Sequence, residues 1–223
     1  MKLALFDLDN TLLDGDSDYL WGEYMCDNGI VEREGYAKGN EQFHEDYREG
    51  RLDIRAYLRF ALEPLSRHKV EDLHRHRAAF IDTEIRRRIS NASLALVEEH
   101  RQAGDQLIMI TATNDFVTRP IADLFGIDVL LASDAEMKDG CYTGQATGTP
   151  CFQEGKLKKL EAWLRSKGVE DIEELLKTAS FYSDSRNDLP LLERVGRPVC
   201  VNPDPVLLAA AQSKAWPVIT LTC

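Results

Sequence analysis

LALFDLDNTLLDGDSD, residues 3–18, is the stretch on which the fold turns. Leu3 to Leu8 are apolar except for Asp7, the pattern of a short strand buried on both faces with a carboxylate near its C-terminal end. Asn10 to Asp18 are turn and cap residues, so the strand ends in a loop. Beyond that loop the texture becomes helical. Leu20, Trp21, Tyr24 and Met25 share one helical face, with Gly29 as a stop. Ile54, Tyr57, Leu58, Ala61 and Leu62 repeat the pattern up to Pro64, and Val70, Leu73, Phe80 and Ile81 predict a further helix. No strand pattern interrupts residues 17–88.

After this block, strands and helices alternate. Strands are predicted at 106–111, 127–132, 179–184, 197–202 and 216–221, and helices at 91–103, 114–126, 153–167, 189–194 and 204–214. Residues 134–148 read as a β-hairpin turning at Asp139-Gly140. The expected class is α/β: a Rossmann-like parallel sheet with helices on both faces, an inserted helical cap and a small hairpin flap. The catalytic core is expected to span residues 1–15 and 89–223, and the cap residues 16–88.

The 223 residues suit one such core with one insertion. A formal charge of −11 lacks the basic footprint of a nucleic-acid binder. The five cysteines, Cys26, Cys141, Cys151, Cys200 and Cys223, form no CxxC pair and read as reduced thiols. The first residues have no signal-peptide pattern, and no run approaches the ~20 apolar residues of a membrane span. The expected setting is the cytoplasm.

In open parallel sheets, ligands bind beyond the carboxyl ends of the strands. The predicted strand ends carry Asp7 and Asp9, Thr111, and Asp184 with Asp188 four residues on. Lys156 opens the helix that precedes the Asp184 strand. Taken singly, each has an ordinary reading: a turn-forming Asp, a capping Thr, a solvated Lys. Gathered on one sheet edge, the carboxylates need a positive partner. Mg²⁺, a hard cation that takes oxygen ligands and few of them from protein, is the simplest.

In this order the motifs resemble those of the haloacid dehalogenase superfamily, and the insertion resembles the cap of its phosphoserine-phosphatase-like subfamily, which includes phosphoserine and histidinol-phosphate phosphatases. FDLDNTL is similar to the DxDxT signature, ITAT to the second, Lys156 in FQEGKLKKL to the third and SDSRND to the fourth. The fourth begins Ser183-Asp184 where Gly-Asp is common, and the second reads Thr-Ala-Thr where phosphoserine phosphatases typically carry Ser-Gly-Gly. The resemblance implies a Mg²⁺-dependent phosphatase of a small amino-alcohol phosphate, working through an aspartyl-phosphate. Asp7 is then the nucleophile and Asp9 the general acid and base. Asp7, Asp184 and the backbone carbonyl of Asp9 hold the metal, with Asp188 supporting from behind. Thr111 and the backbone near Ala112 hold phosphoryl oxygens at a helix N-terminus, and Lys156 neutralises charge on Asp7 and the phosphoryl group. Asp16 takes the place from which a Glu of phosphoserine phosphatases reads the substrate ammonium. As a plain N-cap it has a structural role only.

The expected partner is a small phosphorylated metabolite, with neither nucleic acid nor membrane. A phospho-acceptor signalling module, or a phosphotransferase or mutase on the same core, is the alternative. His68, His74 and His76 lie in RHKVEDLHRHR (67–77), read as a solvated helix, because the 74/76 spacing puts the two rings on different faces.

Overall fold

The computed structural model describes residues 2–221; Cys223, counted above among the thiols, lies outside them. Seven strands form one sheet in the order β4-β3-β2-β1-β5-β6-β7. They are β1 (Leu3–Phe6), β2 (Gln106–Asn114), β3 (Val129–Lys138), β4 (Cys141–Thr147), β5 (Ser180–Ser183), β6 (Arg197–Val201) and β7 (Val218–Ile219). Every pairing is parallel except β3 with β4. The first strand of the chain is thus the central one, which its unbroken burial over LALF requires. Its side chains alternate: Leu3 and Leu5 enter one apolar cluster, Ala4 and Phe6 the other.

Four helices follow β1: α1 (Ser17–Asp27), α2 (Arg33–Arg48), α3 (Ile54–Leu62) and α4 (Val70–Phe80). A π turn at 81–85 and a 3₁₀ turn at 86–88 return the chain to α5 (Asn91–Gln102). The remaining helices are α6 (Asp115–Leu124), α7 (Glu154–Ser166), α8 (Ile172–Leu176), α9 (Leu189–Leu192) and α10 (Pro205–Lys214). Trp21, Met25, Leu58, Leu62, Leu73 and Phe80 from the inserted helices join the same buried cluster as Ala4, Phe6, Leu107 and Met109. The helical block is anchored to the sheet by shared apolar packing.

The structure amends the sequence reading in four places. Helix α2 was not foreseen: Tyr36, Phe43 and Tyr47 stand at helical spacing, but the other residues are mostly polar or charged, and only Asn40 is buried. The short α8 also lacked a signal. Strand 127–132 and the first arm of the hairpin are one continuous strand, β3. The predicted strand 216–221 shrinks to two paired residues, Val218 and Ile219. The turn at Asp139-Gly140 is as expected, with both residues at positive φ. Among the described residues no helix is long and apolar enough to cross a membrane.

Candidate active site

Asp7 directly follows β1, and its amide N–H donates to the Tyr182 carbonyl of β5 at 3.0 Å. The chain then folds back tightly, with the amides of Thr11, Leu12 and Leu13 all donating to the Leu8 carbonyl. This places Asp7 and Thr11 of the DLDNT segment beside Asp184. The Thr11 hydroxyl lies 3.3 Å from Asp7 Oδ2 and 3.2 Å from Asp184 Oδ1, and accepts the Asp184 amide N–H at 3.0 Å. One hydroxyl therefore ties the end of β1 to the end of β5.

Lys156 comes from the first turn of α7. That turn sits hard against the Pro150 carbonyl, where a β-carbon on Gly155 would approach to 2.0 Å, so only glycine lets α7 start here. The Lys156 ammonium donates to Asp7 Oδ1 and Asp188 Oδ2, both at 2.7 Å. All three groups are almost wholly buried. Ser183, where the family commonly has Gly, donates its hydroxyl to Asp188 Oδ2 at 2.7 Å and accepts the Ser185 amide. The serine hydroxyl thus helps orient Asp188.

Asp9 is held differently. Its Oδ1 accepts the Ser17 amide at 2.7 Å, and its Oδ2 accepts the hydroxyls of Thr113 at 2.8 Å and Thr111 at 3.4 Å. Thr113 is a partner that the sequence reading did not name. The expected helix N-terminus at Thr111 and Ala112 is not there. Strand β2 runs on, with an irregular register, to Asn114, which caps α6 by accepting the Val117 amide. Thr111 and Ala112 nevertheless line the pocket, on strand backbone.

Burial sets the electrostatics. It pushes the Asp7 carboxyl up to about 6, against the opposing pull of Lys156. Asp9 is pushed up to about 8, by desolvation first and by Asp16 and Asp7 next. Burial, then Asp7 and Asp188, hold the Asp184 carboxyl well above the usual range. Burial works against the Lys156 charge, but Asp188 and Asp7 outweigh it and raise its pKa. One ammonium among three carboxylates leaves a negative excess that favours a cation. Among the described residues no three His, Cys, Asp or Glu side chains converge as a complete ligand set. Two carboxylates and a carbonyl suit Mg²⁺, which keeps several of its waters.

Beyond Asp7 and Asp9 opens a pocket between the strand ends and the inserted helices. Its other walls come from the inserted helices: Asp16, Asp18 and Tyr19 of the α1 start, Phe43, His44 and Tyr47 of α2, and Leu52, Ile54 and Tyr57. No Lys or Arg is among its lining residues. Asp16 is indeed the N-cap of α1, and its second oxygen faces His44. Trp21 is core and stacks on Tyr24, and neither lines the pocket, whereas Tyr57 does. Tyr47 has its phenol pKa held far up by burial and by Asp184, Asp7 and Asp188. Its carbonyl accepts Asn187 Nδ2 at 3.2 Å. Arg186, unassigned from sequence, packs its guanidinium against Gly50 just after α2. His74 stacks on Phe116 and His68 contacts the Ile30 carbonyl, so neither histidine belongs to the site.

A family model described as haloacid dehalogenase-like hydrolase matches residues 4–193. The chain belongs to this family. A histidinol-phosphatase from Neisseria meningitidis serogroup C (strain 8013) is 44% identical over 219 residues, 98% of each chain. A solved structure of a protein with unknown function from Bordetella pertussis Tohama I is 40% identical, with a TM-score of 0.90 over 98% of this chain and 97% of that one. A substrate-bound phosphoserine phosphatase complex shares the fold, with a TM-score of 0.71 at 20% identity, over 98% of this chain and 92% of that one. This haloacid dehalogenase-like hydrolase is an enzyme of the phosphatase type.

Proposed function

We propose that the chain hydrolyses a small amino-alcohol phosphate of the histidinol-phosphate kind, in the cytoplasm, with Asp7 as nucleophile. The helical block of residues 16–88 acts as the cap over a core formed by 1–15 and 89–223. The observation that carries the substrate class is the lining of the pocket. Four aspartates and several aromatic rings face it, with no Lys or Arg. Such a lining suits an amine and an aromatic ring, and offers no Lys or Arg to the carboxylate of phosphoserine. The printed activity of the Neisseria relative points the same way.

In the first step an Asp7 carboxylate oxygen bonds to phosphorus while the ester P–O bond breaks. Asp9, protonated at neutral pH in its desolvated place, gives its proton to the leaving alkoxide oxygen. In the second step Asp9 takes a proton from water, the water oxygen bonds to phosphorus, and the bond between phosphorus and Asp7 breaks. Inorganic phosphate leaves, and Asp7 and Asp9 return to their starting states. Lys156 holds Asp7 in line and offsets charge on it. Thr111 and the Ala112 backbone contact phosphoryl oxygens from the strand end, and Asp188 orients Lys156. Asp7, Asp184 and the Asp9 carbonyl would hold Mg²⁺, which when bound supplies the positive charge that lets a carboxylate meet a phosphate dianion.

The test is phosphate release from histidinol phosphate, phosphoserine and p-nitrophenyl phosphate, with Mg²⁺ and with EDTA. Histidinol phosphate should be turned over with the highest kcat/KM, and EDTA should stop all three. A long-lived phospho-Asp with negligible turnover would favour the signalling alternative.

A further inference from the structure

Two aspartates at the start of α1 face the pocket, and they differ in what they have left to offer. Asp16 is committed to the protein. Its Oδ1 accepts the amides of Asp18 at 3.0 Å and Tyr19 at 2.9 Å, and its Oδ2 faces His44 Nδ1 at 3.2 Å. Asp18 is only 5% exposed, and its Oδ1 accepts Asn114 Nδ2 at 3.1 Å. Its Oδ2 is buried and has no hydrogen-bond partner among the described residues. The Tyr57 hydroxyl is near enough to lower the Asp18 pKa, yet makes no hydrogen bond of normal geometry to Oδ2. Burial outweighs it and pushes the carboxyl up to about 7.

Buried acceptors are almost always paired, and an unpaired one in a native wall needs a physical cause. Here the unpaired oxygen belongs to a carboxylate that lines the substrate pocket. Its position is fixed from two sides: the backbone of α1 carries it, and the residue that caps α6 grips its other oxygen. A group oriented this firmly, with one free acceptor, is built to receive a proton donor. With no Lys or Arg among the lining residues, a nitrogen-borne cation to meet that oxygen comes from the ligand, while the neighbouring Tyr57 hydroxyl is a neutral donor only.

We propose that Asp18 Oδ2 binds the nitrogen-borne donor of the substrate, an ammonium or a ring N–H. Asp18, rather than Asp16, then sets the preference for nitrogen-bearing phosphate esters. The proposal rests on the reading of the pocket as an amino-alcohol phosphate site. It assigns Asp16 a positioning role, as helix cap and partner of His44. A site built to pair with a donor rejects an analogue that lacks it, because the carboxylate is then left buried and bare.

The experiment compares wild type, Asp18→Asn and Asp16→Asn on histidinol phosphate, its analogue without the amino group, and p-nitrophenyl phosphate. Asp18→Asn keeps the size and can still accept from Asn114. It should lower the ratio of kcat/KM for histidinol phosphate over p-nitrophenyl phosphate about 10²-fold, the worth of one charge-assisted hydrogen bond. Most of the change should be in KM, and Asp16→Asn should move the ratio far less. If wild type discriminates against the deaminated analogue, the ammonium is the group bound. If it treats both alike and Asp18→Asn depresses both, the ring N–H is. An unchanged ratio in Asp18→Asn, beside a wild type that prefers histidinol phosphate, overturns the proposal alone. A wild type indifferent between the two esters overturns the substrate class and this proposal with it. Removing a buried, unpaired charge should leave the melting temperature equal or higher. A lower one with equal loss on every ester would make Asp18 structural and overturn the proposal. Asp18→Ser, smaller and tolerated near a helix start, repeats the test if the Asn variant does not fold.

Discussion

Replacing Lys156 with Met isolates the electrostatic core of the site. The methionine fills much of the same space but leaves Asp7 and Asp188, both under 5% exposed at the side chain, without the ammonium that lies 2.7 Å from each. Breaking a buried pair by removing one partner costs ~3–5 kcal/mol, because the remaining charge is left uncompensated. In a domain of this size each kcal/mol moves Tm by ~2–4 °C, so the variant should melt roughly 6–20 °C lower. The loss should depend on pH, with a sign set by the carboxylates. Stripped of Lys156, the folded pKa of Asp7, already raised by burial, rises further above the unfolded value of ~3.9, so the folded state binds more protons than the unfolded one. Stability then falls as pH rises through the raised folded pKa of Asp7, and the deficit against wild type shrinks towards pH 5. The assay is urea unfolding followed by circular dichroism in EDTA, for both proteins, from pH 5 to pH 8. A deficit below ~1 kcal/mol at pH 7.5 would contradict the uncompensated charge, since it is what a surface pair gives. A deficit flat across that range would refute the titration argument and leave only lost packing.

Asp7→Asn should abolish phosphate release while leaving the circular dichroism spectrum unchanged, and near wild-type turnover would remove Asp7 as nucleophile. Thr11→Val removes the hydroxyl between Asp7 and Asp184; the Mg²⁺ concentration for half-maximal activity should rise several-fold, read by metal titration. His44 has its pKa raised by the hydrogen bond to Asp16. Its contribution, about 1 kcal/mol for a partly buried pair, is present below the unfolded pKa of ~6.5 and lost as pH rises through the folded value. His44→Ala should accordingly cost more stability at pH 5.5 than at pH 8.5 in urea unfolding, and equal costs would exclude a charged pair.

The parts of the site lying on buried strands were the legible ones. Asp7, Asp184 and the central strand stand out because short strand-like runs, the apolar LALF and the aromatic-centred SFYS, end in acids, and an apolar run between turn residues marks a strand covered on both faces. Lys156 was found through its motif rather than its pattern, since nothing in KLKKL distinguishes it from its solvated neighbours. The pocket roof was opaque for the opposite reason. Helix α2 is mostly polar, so Phe43 and Tyr47, although at helical spacing, stand out weakly from their charged neighbours, and His44 not at all, yet all three line the pocket. Asp16 drew attention as an acid at a motif-linked position. The more informative Asp18 is told apart only by which oxygens are already bonded, a property of the folded chain. Thr111 was placed on the right strand, but the helix start expected beside it lies further on, because an irregular register carries β2 three residues past its apolar run.

The hairpin of β3 and β4 has a practical corollary for anyone modifying this enzyme. Its flank at Gly144 is wedged against Glu63 and Ser66, where an added β-carbon would sit 3.2 Å from the Glu63 Cα, and Gly144 is at φ +77°. Its tip at Asp139-Gly140 is exposed, and a β-carbon on Gly140 would meet nothing within 4 Å. A dye, an affinity handle or a few inserted residues belongs at the tip. The same change at Gly144 would pry the roof from its support.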